Sequence, residues 1–482
     1  MVQKENLYFK KLMESKSPVG EVVEVQKFMI RAKGLQPCTL HSLVMFEDGS
    51  KGFVNQIEEG LVSILHMGNK EIQVGSLVVL QHHQLLTKVG KDFIGRIISV
   101  NGQPLDGKGP IAASAARPIF NKAPDINQRE ALSDQLETGV IAIDSLFPIV
   151  KGQRMALIGD AKSGKSTLAT QIAINQKNTD QILIYCLIAK RKIDIDTIVS
   201  RLSQNGGMDK VIIVVATMFD SLVLNYLAPY VACTIGEYLW HEENRNVVVV
   251  YDDLTAHAHT YREISLLSGV SPGRDAYPGD MFYSHSQLLE RAGRLKDNSM
   301  ALTAIPLVHA PVGDITAFLP TNIMSITDGQ WILDMENFQN GIRPALSMGL
   351  SVTRAGGLGH SARQKKIAIQ TLKILADYRE AKEYAHFGNE LSDQSKQALL
   401  LGDYIIDILN QSPSESYSVP EQELLLSTIL SLSIQDKIDI LKLKKEVRSY
   451  VDKIKNDQDF DALVDSIKQT YVISNSVQRG AK

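Results

Sequence analysis

The stretch GDAKSGKST, residues 159–167, has the spacing G-x-x-x-x-G-K-[ST]. Gly159 and Gly164 let backbone N–H groups converge on phosphate oxygens, and a helix starting at this point adds the positive end of its dipole. Asp160, Ala161, Lys162 and Ser163 fill the loop between the glycines, and Thr167 closes it. Lys165 is placed to reach the β- and γ-phosphates, and the Ser166 hydroxyl to bind Mg²⁺. An ordinary strand-turn-helix corner is the plain reading of such a stretch. The flanks favour phosphate, because the apolar run RMALI precedes it and the helical run TLATQIAINQ follows.

A second chemical position ends the run VVVVYDD. A carboxylate at the C-terminal end of a buried strand, here Asp252, is where an acid holds Mg²⁺ through water. Asp253 serves equally well as a cap for the following helix, and one of the pair is expected to do so. Hydrolysis needs a group that orients or deprotonates water. The strand after the phosphate-loop helix, ILIYCLI, runs instead into Ala189, Lys190, Arg191 and Lys192. A cation is no base, and Asp194 would need a different loop path. The expectation is a chain that binds nucleotide without turning it over.

These positions need a scaffold. The runs GEVVEVQ, CTLHSLVMF, LVSILHM and SLVVL, between Gly20 and Leu80, read as short strands of a small barrel or sandwich. NGQPLDGKGP is a turn-rich connector. From about Gly139, apolar strand runs (QILIYCLIA, KVIIVVAT, NVVVVYDD) alternate with helical ones such as SLVLNYLAPYVACTIGEYLW, which argues a mostly parallel α/β sheet covered on both faces. From about Gln364, long helical patterns predict a helical bundle. The expected divisions are a short segment 1–18, a β-barrel at 19–81, a P-loop nucleotide-binding domain at 82–360 and a helical domain at 361–482.

The 482 residues suit two or three domains, and the formal net charge of -3 gives no pull toward nucleic acid or anionic membrane. The three cysteines, Cys38, Cys186 and Cys233, lie too far apart for a zinc spacing and point to a reducing compartment. The N-terminus does not read as a secretory signal, and no apolar run is long enough to span a membrane.

PGRDAYPGDMFYSHSQLLERAGRL, GLSVTR, NGQPLDGKGPI and YREAKEYAHFGNELS occur together, in order and with matching spacing. With them the chain resembles the alpha subunit of F-type ATP synthase, from about Val19 to at least Glu423. The resemblance implies an N-terminal β-barrel, a central RecA-like domain and a helical C-terminal domain. It implies an alternating ring of three alpha and three catalytic beta subunits around a rotating shaft, peripheral to the cytoplasmic or matrix face of a membrane and coupled to proton transport. The alpha site then holds Mg-ATP, or ADP, without turnover.

By position, the resemblance makes Lys165 and Ser166 the phosphate and Mg²⁺ residues and Asp252 the metal acid. Lys190 stands where the family has a Gln and the catalytic subunit a Glu. Arg343 and Pro344, in GIRPAL, and Gln411 lie beside the adenine. Arg354, in SVTR, enters the neighbouring beta site. On residue type alone, Arg354 is equally a solvated surface arginine. SPGRDAYPGD, with Ser271 and Asp280 at its ends, resembles the loop facing the shaft; its own composition says only a stiff turn. A peripheral stalk would be met through the short N-terminus.

The chain departs from the family at several points. Ala161, Lys162 and Ser163 replace Arg-Gln-Thr, SPSESYSVPEQ carries extra residues after Gln411, and AGGLGHSARQ replaces a small-residue run. An alternative is therefore an F-type-like ATPase powering motility or surface-protein handling without proton transport. A third reading, a self-sufficient hexameric NTPase acting on nucleic acid or in protein export, is disfavoured by the mild acidity and the missing base.

Overall fold

Alternating burial in short Val/Ile/Leu-rich runs drives the first part of the computed structural model, which describes residues 2–386 and 392–473. Six strands, β1 (Val19–Gln26), β2 (Met29–Lys33), β3 (Leu43–Phe46), β4 (Lys51–Glu58), β5 (Leu61–His66) and β6 (Leu77–His82), close into a barrel in the order β1-β2-β5-β4-β3-β6. All neighbours are antiparallel. Val22, Ile30, Val44, Phe46, Ile64 and Val78 fill its interior. Of the run CTLHSLVMF only the last four residues are strand; His41 sits at φ 64°, which breaks extended pairing. The segment before the barrel forms a helix, Val2–Glu14, whose Phe9 packs on Met45 and Val79.

The chain continues through β7 (Leu86–Val89), β8 (Ile97–Ser99), β9 (Ala115–Pro118), β10 (Ala156–Gly159), β11 (Ile182–Lys190), β12 (Val211–Thr217), β13 (Val247–Asp252), β14 (Gly293–Arg294), β15 (Ala301–His309), β16 (Gly329–Leu333) and β17 (Val352–Thr353). It forms two compact units, one of residues 1–131, 180–309 and 316–327, the other of residues 132–179, 310–315 and 328–482.

In the first unit, β15-β13-β11-β12-β8 run parallel in that order. Nearly every residue of β11, β12 and β13 is buried, as both-faced coverage requires. Helix Leu222–His241, buried along most of its length, is capped at Ser221, whose hydroxyl accepts from Leu224 N–H. The connector NGQPLDGKGP is a series of turns tied by Arg96 to Asp106 at 2.6 Å.

In the second unit, β10 pairs parallel with β16, and β17 joins β16 antiparallel. Helices Ala362–His386, Asp393–Leu409, Val419–Leu430 and Asp457–Tyr471 make up most of its C-terminal part. Arg363 ties three of them together: it pairs with Glu423 at 3.2 Å, bonds Asp457 and lies 3.9 Å over the Phe460 ring. Residues 387–391 of the motif YREAKEYAHFGNELS lie outside the described residues. Barrel, mostly parallel α/β region and helical C-terminal region are the architecture expected. No described helix is long and apolar enough to cross a membrane.

One buried charge organises the first unit. Arg291, 1% exposed, donates twice to Glu237 (2.6 Å each), to Thr234 Oγ1 (2.9 Å) and to the Ile119 carbonyl (2.9 Å). Removing one partner of such a pair strands the other in low dielectric. Arg291→Ala should therefore destabilise the protein by about 3–5 kcal/mol, and Arg291→Met with Glu237→Leu by much less. Denaturant midpoints of the three proteins check this; a double variant as unstable as the single one would refute it.

Candidate nucleotide site

The phosphate loop lies in the second unit, between β10 and helix Lys165–Asn175. Its glycines are needed for two different reasons. A Cβ on Gly159 would come within 2.6 Å of Ser163 Oγ and 2.9 Å of Leu333 Cβ, so the loop can leave the strand only without one. Gly164, the residue before the helix, stands at φ 102°, a left-handed conformation suited to glycine. Leu168 N–H bonds back to the Gly164 carbonyl at 2.9 Å. The amides of the turn before it belong to the positive end of the helix.

Lys165 Nζ lies against the loop's own carbonyls, 2.8 Å from Gly159 O and 2.7 Å from Asp160 O. Asp160 Oδ1 accepts from Ala161 N–H at 2.6 Å, and Lys162 takes a positive φ of 62°. Ser163 is 2% exposed, and its hydroxyl has no hydrogen-bond partner. A buried orphan hydroxyl within a phosphate loop is a donor held for something else.

Beside the loop lies a cavity of about 220 Å³. Ser163, Gly164 and Thr167 form one side, and Phe338, Arg343, Pro344 and Gln411 much of the rest. Sites for a whole drug-sized ligand run to roughly 300–1,000 Å³, so this one suits a single planar ring system with the remainder of the ligand outside. The Arg343 guanidinium lies 3.6 Å over the Phe338 ring and donates to the Phe338 and Ile342 carbonyls (2.7 and 2.8 Å). Arg343, Pro344 and Gln411, remote in sequence from the loop, are thus brought to it.

Gln411 behaves differently from a free ligand contact. Its carbonyl accepts from Ile141 N–H (3.0 Å), and its amide donates to the Gly139 and Glu415 carbonyls (2.8 Å each). It builds the wall of the cavity. The residues inserted after it form a closing turn: Glu415 N–H donates to Ser412 O at 3.0 Å, and Gln171 holds both the Ser412 and Glu415 carbonyls. Pro413 of this turn lines the cavity. Phe338, Leu333 and Gln171 were not singled out by the sequence: no motif surrounds the first two, and Gln171 reads as one more residue of the helical run after the loop.

Asp252 and Lys190 belong to the first unit. Register pairs Leu187 of β11 with Asp252 of β13. Lys190 ends β11, and its Nζ lies 2.5 Å from Asp252 Oδ1 and 3.3 Å from Asp253 Oδ2. Tyr185 donates its hydroxyl to Asp252 Oδ2 at 3.1 Å. Burial works against the lysine's charge, but the two carboxylates outweigh it and hold its pKa above the usual lysine value. Asp253 Oδ1 accepts from Ala256 N–H at 2.7 Å and so is the cap of helix Leu254–Leu267. That leaves Asp252 as the acid, with both oxygens already bonded and its charge offset by Lys190. As a donor for Mg²⁺ it fits poorly in this arrangement. Among the described residues no group of three or more His, Cys, Asp and Glu gathers as a metal cage.

Arg354 is exposed, one residue beyond β17. Its base is fixed: its N–H donates to Asp328 O (2.9 Å), while Thr353 Oγ1 donates to Pro148 O and accepts from Gly356 N–H, each at 2.9 Å. The loop with Ser271 and Asp280 at its ends is a tight turn in the first unit. Gly273 N–H bonds Tyr277 O at 2.7 Å, Pro272 and Pro278 bridge, and Tyr277 stacks on Phe318.

The family model for the nucleotide-binding domain of the ATP synthase alpha/beta family matches residues 139–353. That for the C-terminal domain of the ATP synthase alpha/beta chain matches residues 362–481. The chain is 42% identical over 439 residues to the ATP synthase subunit alpha of Clostridium botulinum (strain Alaska E43 / Type E3), covering 90% of this chain and 87% of that protein. It is 39% identical over 436 residues to the ATP synthase subunit alpha of Caldanaerobacter subterraneus subsp. tengcongensis, covering 90% and 85%. The same name and an identity of 39% over 435 residues hold for a protein of Acetivibrio thermocellus, covering 90% and 85%. With the loop, its cavity and these matches across both of its regions, the chain belongs to the ATP synthase alpha/beta family, as an alpha-type subunit of the F-type ATP synthase.

Proposed function

We propose that this chain is the non-catalytic, nucleotide-holding subunit of a rotary F-type ATP synthase/ATPase. The observation that carries the reading is Lys190. At the end of the strand where hydrolysis would require a carboxylate base, the chain has an ammonium bonded to two carboxylates. Loop residues 159–167 hold the phosphates of ATP or ADP, with Lys165 on the β- and γ-phosphates and Ser166 toward a Mg²⁺ carried on them. The base sits in the cavity lined by Arg343, Pro344 and Gln411, and stacks on the Phe338 side. Arg343, already stacked on Phe338, contributes a planar cation to that wall. Mg²⁺ would supply charge neutralisation of the phosphates.

The partners are catalytic beta-type subunits in an alternating ring of three and three. Arg354, exposed on a rigid base, reaches the neighbour's phosphates, where a planar forked cation stabilises developing charge. The turn with Ser271 and Asp280 at its ends faces the rotating shaft, and the N-terminal helix lies toward a peripheral stalk. The ring sits on the cytoplasmic or matrix face of a membrane, coupled to proton transport. Residues 1–18, 19–81, 82–360 and 361–482 form the N-terminal segment, barrel, nucleotide-binding and helical domains.

Two predictions test this. ATP in excess Mg²⁺ should stabilise the purified chain by about 2.7 kcal/mol at a hundredfold excess over Kd. Calorimetric melting should show the rise in the native chain and almost none in Lys165→Ala, with no steady ATP hydrolysis by either. Equal stabilisation of the variant would place the nucleotide elsewhere.

In the reconstituted ring, Arg354→Ala should lower kcat by about 10³–10⁵, and Arg354→Lys should fail similarly because an ammonium lacks the planar fork. Nucleotide retention by this chain's own loop should be unchanged. Survival of ATPase within a few-fold in Arg354→Ala would show that the arginine has another role.

A further inference from the structure

Within the second unit, one residue of the cavity beside the phosphate loop has a polar atom still unspent. Helix Lys165–Asn175 turns Thr167, Leu168 and Gln171 toward that cavity, the spacing of a single helix face. Gln171 stands two turns beyond Gly164, about 10 Å along the axis. That is close to the reach from a nucleotide's phosphates to the far edge of its base. Gln171 is 6% exposed, and its Nε2 donates to Ser412 O (3.3 Å) and Glu415 O (3.0 Å). Those two carbonyls settle which branch of the amide is nitrogen, since the reverse would set oxygen against oxygen. The same two bonds fix Oε1, which accepts no hydrogen bond among the described residues. Gln411 is the opposite case. It is 1% exposed, both of its amide hydrogens go to the Gly139 and Glu415 carbonyls, and its oxygen is held by Ile141 N–H. Arg343 can donate but not accept, and Leu333, Phe338, Pro344 and Pro413 give the cavity apolar surface.

We propose that Gln171 is the residue that selects the base: its Oε1 accepts a hydrogen bond from the 6-amino group of adenine, while Gln411 shapes the cavity without discriminating. The inference rests on the reading that this cavity holds a nucleotide base. A 6-oxopurine would set its own oxygen against Oε1, and a purine with hydrogen at carbon 6 would leave Oε1 buried without a donor. The amide cannot turn over to suit them, because that would take Nε2 from both carbonyls of the 412–415 turn. A site built to bond a substrate group rejects the analogue lacking it far better than an apolar pocket can.

The test titrates the full chain calorimetrically with ATP and with purine riboside triphosphate, which has hydrogen in place of the 6-amino group. The native chain should prefer ATP by about ten- to a hundredfold. Gln171→Met, similar in length but without the acceptor, should bring the two Kd values within about threefold of each other. Gln411→Met should weaken both nucleotides and keep the native ratio, as a loss of structure alone would. A ratio retained in Gln171→Met, or lost in Gln411→Met, overturns the assignment. Equal binding of the two nucleotides by the native chain overturns it and leaves nucleotide holding intact; no binding of either overturns both. Should the variants fail to fold, ATP labelled with ¹⁵N at the 6-amino group decides on the native chain. One amino proton should shift downfield and exchange slowly with water in the complex, and two freely exchanging protons would refute the bond.

Discussion

A carboxylate buried at the end of a β-strand must find its counter-charge inside the protein. In this chain that requirement fixes the carboxyl edge of the parallel sheet in the first unit. Asp252 ends β13, Lys190 ends β11, and their pairing determines how the chain leaves both strands. Ala189 adopts φ 51° so that the lysine can turn toward the acid, and Asn225 holds that bend from the neighbouring helix. Asp253, one residue on, starts helix Leu254–Leu267 while sharing the same ammonium. Charge balance, strand exit and helix start are one arrangement.

The second unit solves the opposite problem. Its phosphate loop concentrates positive character: a helix N-terminus, the Lys165 ammonium and the Arg343 guanidinium at the cavity. Lys165 Nζ lies against the carbonyls of Gly159 and Asp160, and the Arg343 guanidinium against those of Phe338 and Ile342. Carbonyl dipoles are weaker partners for a cation than a phosphate oxygen. In the same unit Asp144 shows what a closed solution looks like. It is buried and accepts from Thr138, Gly139 and Gln422, so it organises backbone and takes no ligand.

The elements that read well in the sequence are those whose pattern is local. The four residues between Gly159 and Gly164, followed by Lys165 and Ser166, define the loop. Unbroken apolar runs mark β11, β12 and β13, and the cation after ILIYCLI shows where a base is missing. What did not read was set by distant contacts. Nothing near Phe338 says that it will lie under Arg343 beside the loop, and Tyr185 looks like one more buried residue of its strand until it meets Asp252. Gln411 was legible as a position but not in its manner of bonding, because its partners Gly139 and Ile141 are some 270 residues away. The helix Val2–Glu14 depends on barrel residues Met45 and Val79 to receive Phe9, and its own stretch has no long apolar face to announce it.

The barrel closes on itself, β1 pairing with β6. A closed sheet presents no row of unpaired N–H and C=O groups, so no other chain can extend it by strand addition. Copies brought side by side must recognise one another by the shape and charge of their side chains. Backbone pairing is nearly blind to sequence, whereas side-chain matching is not. A neighbour set beside such a barrel is therefore told from another by the side chains on its outer face, and a change of those side chains changes which neighbour fits.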